Sequence, residues 1–223
     1  MRRIIDLESE RRGCPLRVLE VGIDRGQMLA FMNGRASGSG RFGLPELFER
    51  WDGLDRLLRP ELTRYSYSDL IEHTVGREAL PCLRSYDIVI ALHVLEHLKE
   101  PEYALQQLST CLVPGGIIVG GSPTMPACLA PLRERVLRRR AGPFEHVSVI
   151  SPQRLQRFAD DNCFSVEFLS GAFLSRHSGC AIENSRIWLR LNLPWGALFP
   201  ALGSEIYFSM RLKGRRAAAA SDQ

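Results

Sequence analysis

The chain has 223 residues, 45% of them hydrophobic and 24% charged, with Lys+Arg 29 against Asp+Glu 25 for a formal charge of +4. Such a composition excludes a largely disordered polymer, and a chain of this length buries a core without needing disulfides or a structural metal. The positive balance is too slight to argue by itself for nucleic acid.

The six cysteines, Cys14, Cys82, Cys111, Cys128, Cys163 and Cys180, form no CxxC pair. They read as small buried or half-buried hydrophobes in a reducing cytosol rather than as a disulfide framework or zinc ribbon. Met1 to Arg12 lacks the apolar run of a secretory leader, and no stretch reaches the roughly 20 apolar residues of a membrane span. The expectation is a cytoplasmic protein.

In chain order, Leu16 to Val21 reads as a strand closed by Gly22 and Gly26, followed by a helix from Gln27 to Asn33 with Gly34 as its C-cap. The Gly/Ser-rich stretch from Gly34 to Gly43 reads as a mobile loop. A second strand falls within Leu47 to Leu54 and ends in Gly53-Leu54-Asp55, and Tyr65 to Tyr67 is a short third candidate. Asp87 to Leu92 is nearly all apolar, as a strand buried on both faces of a parallel sheet must be. A helix over Pro101 to Leu112 follows, then the turn Pro114-Gly115-Gly116 and a strand over Ile117 to Gly120. Ser151 as N-cap and Pro152 at the first helical position open a helix to Asp161. Phe164 to Leu169 and Glu205 to Leu212 are the last strands, and the Ala-rich end from 215 to 223 reads as a disordered tail. Strands alternating with helices predict a doubly wound, mostly parallel α/β sheet with its ligand beyond the carboxyl ends of the strands.

Five segments then fall in an informative order. Val18-Leu19-Glu20-Val21-Gly22-Ile23-Asp24-Arg25-Gly26 resembles motif I of the class I S-adenosylmethionine (SAM)-dependent methyltransferases, an acidic residue followed by GxGxG. Gly53-Leu54-Asp55 resembles the acidic end of their second strand and Ser68-Asp69-Leu70 their adenine-contacting segment. Tyr86-Asp87-Ile88-Val89 through His93-Val94-Leu95-Glu96-His97-Leu98 resembles the fourth strand and its loop, and Leu112-Val113-Pro114-Gly115-Gly116 the turn before the fifth. The resemblance spans about 14 to 170 plus 205–212 within one domain over 1–214, and it is closest to the small-molecule enzymes of the ubiquinone- and biotin-biosynthesis type. It implies a Rossmann-like seven-stranded sheet with an antiparallel last strand, and SAM as cofactor. It also implies a cofactor site of Glu20, Gly22, Asp24, Gly26, Asp55, Asp69, Leu70 and Leu92, in which Glu20 lies beneath the methionine end, Asp55 holds the ribose, and Asp69 with the Leu70 backbone holds the adenine.

Asp24 stands where the motif has its middle glycine. A carboxylate there repels a pyrophosphate unless Arg25 compensates, but it suits a cationic sulfonium, and Asp enters left-handed backbone readily. His93, at the end of the fourth strand, is a candidate general base, with Glu96 and His97 read as structural. His93, Glu96 and His97 also spell HxxEH, but zinc chemistry would need both histidines on one helix, so no metal is expected. The resemblance places His146 beside the acceptor.

Two segments outside the shared core read as acceptor-side elements, within 125–146 and 173–204. Met125 to Ala141 carries Arg133, Arg135, Arg138, Arg139 and Arg140 with Glu134 the only acid. Ile187 to Leu202 is rich in Trp and Leu, and Pro194 and Pro200 are expected to break it into short pieces. The arginine helix reads first as a solvated face, and the apolar piece as packing onto the domain or onto a sister subunit in a homodimer; a pocket for a lipid-linked or hydrophobic acceptor is the other reading, and the two segments together suggest peripheral contact at the inner membrane face. The expected reaction is methylation at O or N of a small-molecule, lipid-linked or sugar-linked acceptor. A silent methyltransferase-like partner subunit is the second reading. RNA is a lesser one, because the arginine cluster has no stacking aromatics.

Overall fold

The computed structural model describes residues 1–32, 46–81, 85–140, 142, 145–174 and 185–214. The expected loop over Gly34 to Gly43, the C-cap at Gly34, Cys82, Cys180 and the tail over 215–223 lie outside the described residues.

Seven strands form one sheet: β1 (Leu16–Val21), β2 (Phe48–Asp55), β3 (Asp69–Glu72), β4 (Tyr86–Leu92), β5 (Leu112–Pro123), β6 (Phe164–Ala172) and β7 (Glu205–Leu212). Their spatial order is β3-β2-β1-β4-β5-β7-β6, with β7 antiparallel to both neighbours and the other six running the same way. The sheet is thus the expected Rossmann-like one, with the antiparallel strand last in sequence but seated inside the order.

Both faces are covered, which is why β1 and β4 read as apolar on every residue but a few. Leu19, Val21, Val89, Ala91 and Ile118 face one core with α3 (Pro101–Ser109) and α5 (Pro152–Asp161). Leu16, Val18, Ile88, Ile90, Ile117 and Val119 face a second core with Ile5 of α1 (Arg2–Arg12) and Leu29 and Met32 of α2 (Gln27–Met32). The chain winds from β1 outward to β3, then returns past β1 to β4, so a switch in strand order opens between the carboxyl ends of β1 and β4.

Several elements differ from the sequence reading. The third strand is Asp69–Glu72 rather than Tyr65 to Tyr67, because the aromatic rings are used for packing: Tyr65 lies against Gly26, and the Tyr67 hydroxyl reaches Glu20. The helix from Pro101 ends at Ser109, and Leu112 already pairs with Tyr86 in the sheet, so the Pro114-Gly115-Gly116 turn is part of β5. The arginine-rich helix is α4 (Ala130–Arg140), shorter than its segment. α6 (Arg186–Leu198) runs unbroken through Pro194, which lacks a donor and crowds the carbonyl four residues before it, because Asn192 and Gly196 on either side are packed against the end of β6. Pro200 opens a separate 3-10 turn, Pro200–Leu202. Among the described residues, no helix is long and apolar enough to cross a membrane.

The N-terminal helix α1 is anchored by charge. Glu8 is buried and accepts from Arg12 (2.7 Å) and Arg211 of β7 (2.9 Å), while Arg12 and Arg17 converge on buried Asp87 at 2.9 and 3.0 Å. Burial alone would raise both carboxyl pKa values, but the guanidinium hydrogen bonds outweigh it and hold them below their ordinary range.

Candidate functional site

The turn after β1 is built for close approach. Gly22 and Gly26 have φ of 73° and 71°, and an added Cβ would stand 2.4 Å from a Val94 methyl at Gly22 and 2.7 Å from the Tyr65 ring at Gly26. Asp24 between them takes φ 41°, the left-handed conformation that Asp tolerates. Its backbone N–H donates to Asp55 Oδ2 at the tip of β2 (3.0 Å), which ties the turn to that strand end. The cation that offsets Asp24 is Arg59, at 2.8 Å, rather than the neighbouring Arg25 of the sequence reading.

Glu20 lies inside the sheet's second core beside this turn. One oxygen accepts from Trp51 Nε1 (2.8 Å) and the Tyr67 hydroxyl (3.1 Å). Burial raises its pKa to about 7, against the opposing pull of those two hydrogen bonds, and burial likewise pushes the Tyr67 hydroxyl up.

Asp69 and Leu70 are not brought to this place. They open β3, with Asp69 opposite Asp52, three register positions and so about 10 Å from the Asp55 end. The Asp69 carboxylate accepts its neighbour Leu70's N–H and faces Arg50 at 3.5 Å. The residue beside Asp55 at the carboxyl end of β3 is His73, whose N–H donates to the Asp55 carbonyl (2.8 Å) and whose Nε2 is buried without a hydrogen-bond partner. Sequence reasoning passed over His73, for which spacing after the true third strand was the one available signal.

On the neighbouring strand, Leu92 is half-buried at the end of β4 and pairs with Gly121. His93 follows at φ 53°, tied by its N–H to the Gly121 carbonyl (2.8 Å). Its Nδ1 is 3.2 Å from Glu96 Oε1, and Ser122 Oγ donates to Glu96 Oε2 (2.8 Å). Desolvation of Glu96 would raise its pKa, but hydrogen bonds from His93, its own backbone and Ser122 hold it below the ordinary value. An ionised carboxylate only accepts, so Nδ1 carries a proton, and in the neutral ring Nε2 is then the acceptor atom.

His146 joins this cluster from the connection to α5. The N–H groups of Val147 and Ser148 donate to the Glu96 carbonyl (2.8 and 3.1 Å), which brings the His146 ring 4.9 Å from that of His97. Glu96, His97 and His146 have ligand-type atoms within 4.8 Å of one another, but the Glu96 oxygens are engaged by His93 and Ser122. His93 precedes the 3-10 turn Leu95–His97, so the two histidines of the HxxEH pattern do not share a helix.

A cleft of about 570 Å³ lies on the other face of the sheet from Glu20, between α3, α4 and α5. Its wall is satisfied internally, since Arg154 bridges Glu102 and Glu134.

The switch point between β1 and β4, the glycine turn, the acidic tip of β2 and the antiparallel β7 define a class I methyltransferase. The chain belongs to the Methyltransf_23 family, described as a methyltransferase domain, whose model matches residues 1–167. SAM is accordingly its cofactor.

Solved structures share the fold across nearly the whole chain. The N-methyltransferase NodS from Bradyrhizobium japonicum WM9, in complex with S-adenosylhomocysteine, has a TM-score of 0.54 at 13% identity, covering 94% of this chain and 84% of NodS. The Burkholderia thailandensis 1,6-didemethyltoxoflavin-N1-methyltransferase, with its substrate and S-adenosylhomocysteine bound, has 0.55 at 13%, covering 95% and 77%. A SAM-dependent methyltransferase from Mesorhizobium loti has 0.53 at 13%, covering 89% and 91%. No curated protein matches the chain by sequence.

The residues present fit the donor: Asp55 stands at the turn with its carboxylate held by the Asp24 N–H, and the unpartnered His73 Nε2 marks a polar position at its edge.

Proposed function

We propose that the protein methylates an oxygen or nitrogen of a small-molecule, lipid-linked or sugar-linked acceptor, with His93 as the general base. The observation that carries this reading is the His93–Glu96–Ser122 chain at the carboxyl end of β4, directly across the switch point from the glycine turn.

Bound SAM supplies a methyl group on a sulfonium, a leaving group that needs no assistance from an acid. Gly22 and Gly26 would let the backbone of the turn come close to the donor, Asp55 would accept from its ribose hydroxyls, and His73 would offer a polar atom beside Asp55. Asp69 and Leu70 are given no part in holding the donor. On the acceptor side, Glu96 fixes the imidazole tautomer and leaves Nε2 to take the proton that a hydroxyl or ammonium acceptor must lose. The remaining contribution is alignment of the acceptor for in-line attack, which in favourable cases lowers a barrier by roughly 7–11 kcal/mol.

The test is His93→Ala, read in a methyl-transfer assay and by titration with SAM. The reading expects turnover to fall about 10²–10⁴-fold with little change in SAM affinity. Turnover equal to wild type would reduce the mechanism to positioning alone and remove the base.

A further inference from the structure

α6 carries an apolar stripe that is exposed among the described residues. Ile187, Leu191 and Leu198 are 74, 62 and 71% exposed, and at helical spacing they fall within an arc of about 40°. Phe199 and Leu202 continue the exposed apolar surface past the end of the helix. The opposite side of α6 is fixed. Gly196 lies against the backbone of Ala172, with no room for a Cβ, and buried Asn192 accepts the Leu174 N–H through its side chain (2.7 Å) and its carbonyl (3.1 Å). The stripe is therefore held outward by design of the inner face.

Charge selects what covers it. Exposed Arg186 and Arg190 flank the stripe on one side, and no acidic residue occurs from Arg186 to Ser204. In a symmetric contact between two copies through this stripe, these arginines would meet their own counterparts with no acid from α6 itself to pair them. An anionic lipid surface supplies the missing charge, and Trp188 and Trp195, half-buried on α6, suit the water–lipid boundary. The helix spans the gap between Ala172 at the carboxyl end of β6 and Glu205 at the start of β7, the same edge of the sheet that carries Gly22 and His93. Its 13 residues are about 20 Å long, suited to lying in the interface rather than crossing it.

We infer that α6 is an in-plane membrane helix that docks the protein on anionic lipid, with the cofactor edge of the sheet turned toward the bilayer. This stands apart from the choice of acceptor and base, and its failure leaves methyl transfer untouched.

The experiment is co-sedimentation of the full chain with phosphatidylcholine vesicles, with and without phosphatidylglycerol, alongside tryptophan emission and sedimentation velocity. Expected are binding that requires the anionic lipid, weakens with added salt, and comes with a blue shift. Arg186→Gln with Arg190→Gln should reduce partitioning about thirtyfold, taking each arginine's usual contribution. Ile187→Asp with Leu191→Asp should abolish it while SAM titration and the melting curve match wild type, and Leu132→Asp on the exposed face of α4 should leave it intact. The inference is overturned by absence of binding to anionic vesicles at low salt, by binding that survives both α6 double variants, or by a wild-type dimer that the Ile187/Leu191 variant turns into monomers.

Discussion

Glu20 is the group whose titration reports most clearly on the interior beside the turn. Its folded pKa is raised from 4.5 to about 7 by burial, so between those values the folded protein holds a proton that the unfolded chain releases. The stability that Glu20 contributes is complete below about pH 4.5, declines as pH rises, and is gone just above pH 7. A separation of some 2.5 pH units corresponds to about 3 kcal/mol, sizeable beside the ~5–15 kcal/mol of a typical domain.

Glu20→Gln removes the titration while keeping an oxygen to accept from Trp51 and Tyr67. Urea unfolding of the SAM-free protein at a series of pH values should show wild type losing up to about 3 kcal/mol relative to the variant from pH 5 to pH 8. Parallel pH profiles for the two proteins would refute the reasoning, since they would mean that Glu20 is ionised at the same pH folded and unfolded.

Gly26→Ala forces a Cβ into the Tyr65 ring at φ 71°; a loss of about 1–2 kcal/mol is expected in thermal melts, together with weakened SAM binding. Glu8→Ala leaves Arg211 and Arg12 without their shared acid, and the melt should show a loss of about 2–4 kcal/mol. Because Glu8 and Asp87 titrate below their ordinary range, the stability they supply is present above about pH 4.5 and fails as pH falls further. Glu8→Gln should flatten that acid limb in pH-dependent melts.

The strands that span the core were legible because burial on both faces forces an apolar run, as in Asp87 to Leu92, or because alternation is clean, as in Glu205 to Leu212. Gly22 and Gly26 were legible because only glycine meets the left-handed turn and the close approach of Val94 and Tyr65 without strain. The helix α1 was not, since its buried face is Ile5 and an ion-paired Glu8 rather than a hydrophobic stripe. β3 is four half-exposed residues at the sheet's edge, too weak a pattern to outweigh the β-forming tyrosines before it. Asp69 and Leu70 were given to the cofactor by resemblance, and His73, at the end of the observed strand, went unnoticed. Glu96 was read as holding the loop by hydrogen bonds, but its particular partners, His93 and Ser122, come together only through the fold. The partnership of Asp24 with Arg59 depends on tertiary geometry alone.

Isothermal titration of the wild-type protein and of Asp55→Ala with S-adenosylhomocysteine, the product form of the donor, is the most direct check on the cofactor site. One binding site per chain, with affinity reduced at least about tenfold in a folded Asp55→Ala protein, is the predicted result, in keeping with a lost carboxylate–hydroxyl contact. No binding to the wild type, or equal affinity in the two proteins, would contradict the assignment of the β1–β4 switch point as the place where the donor sits.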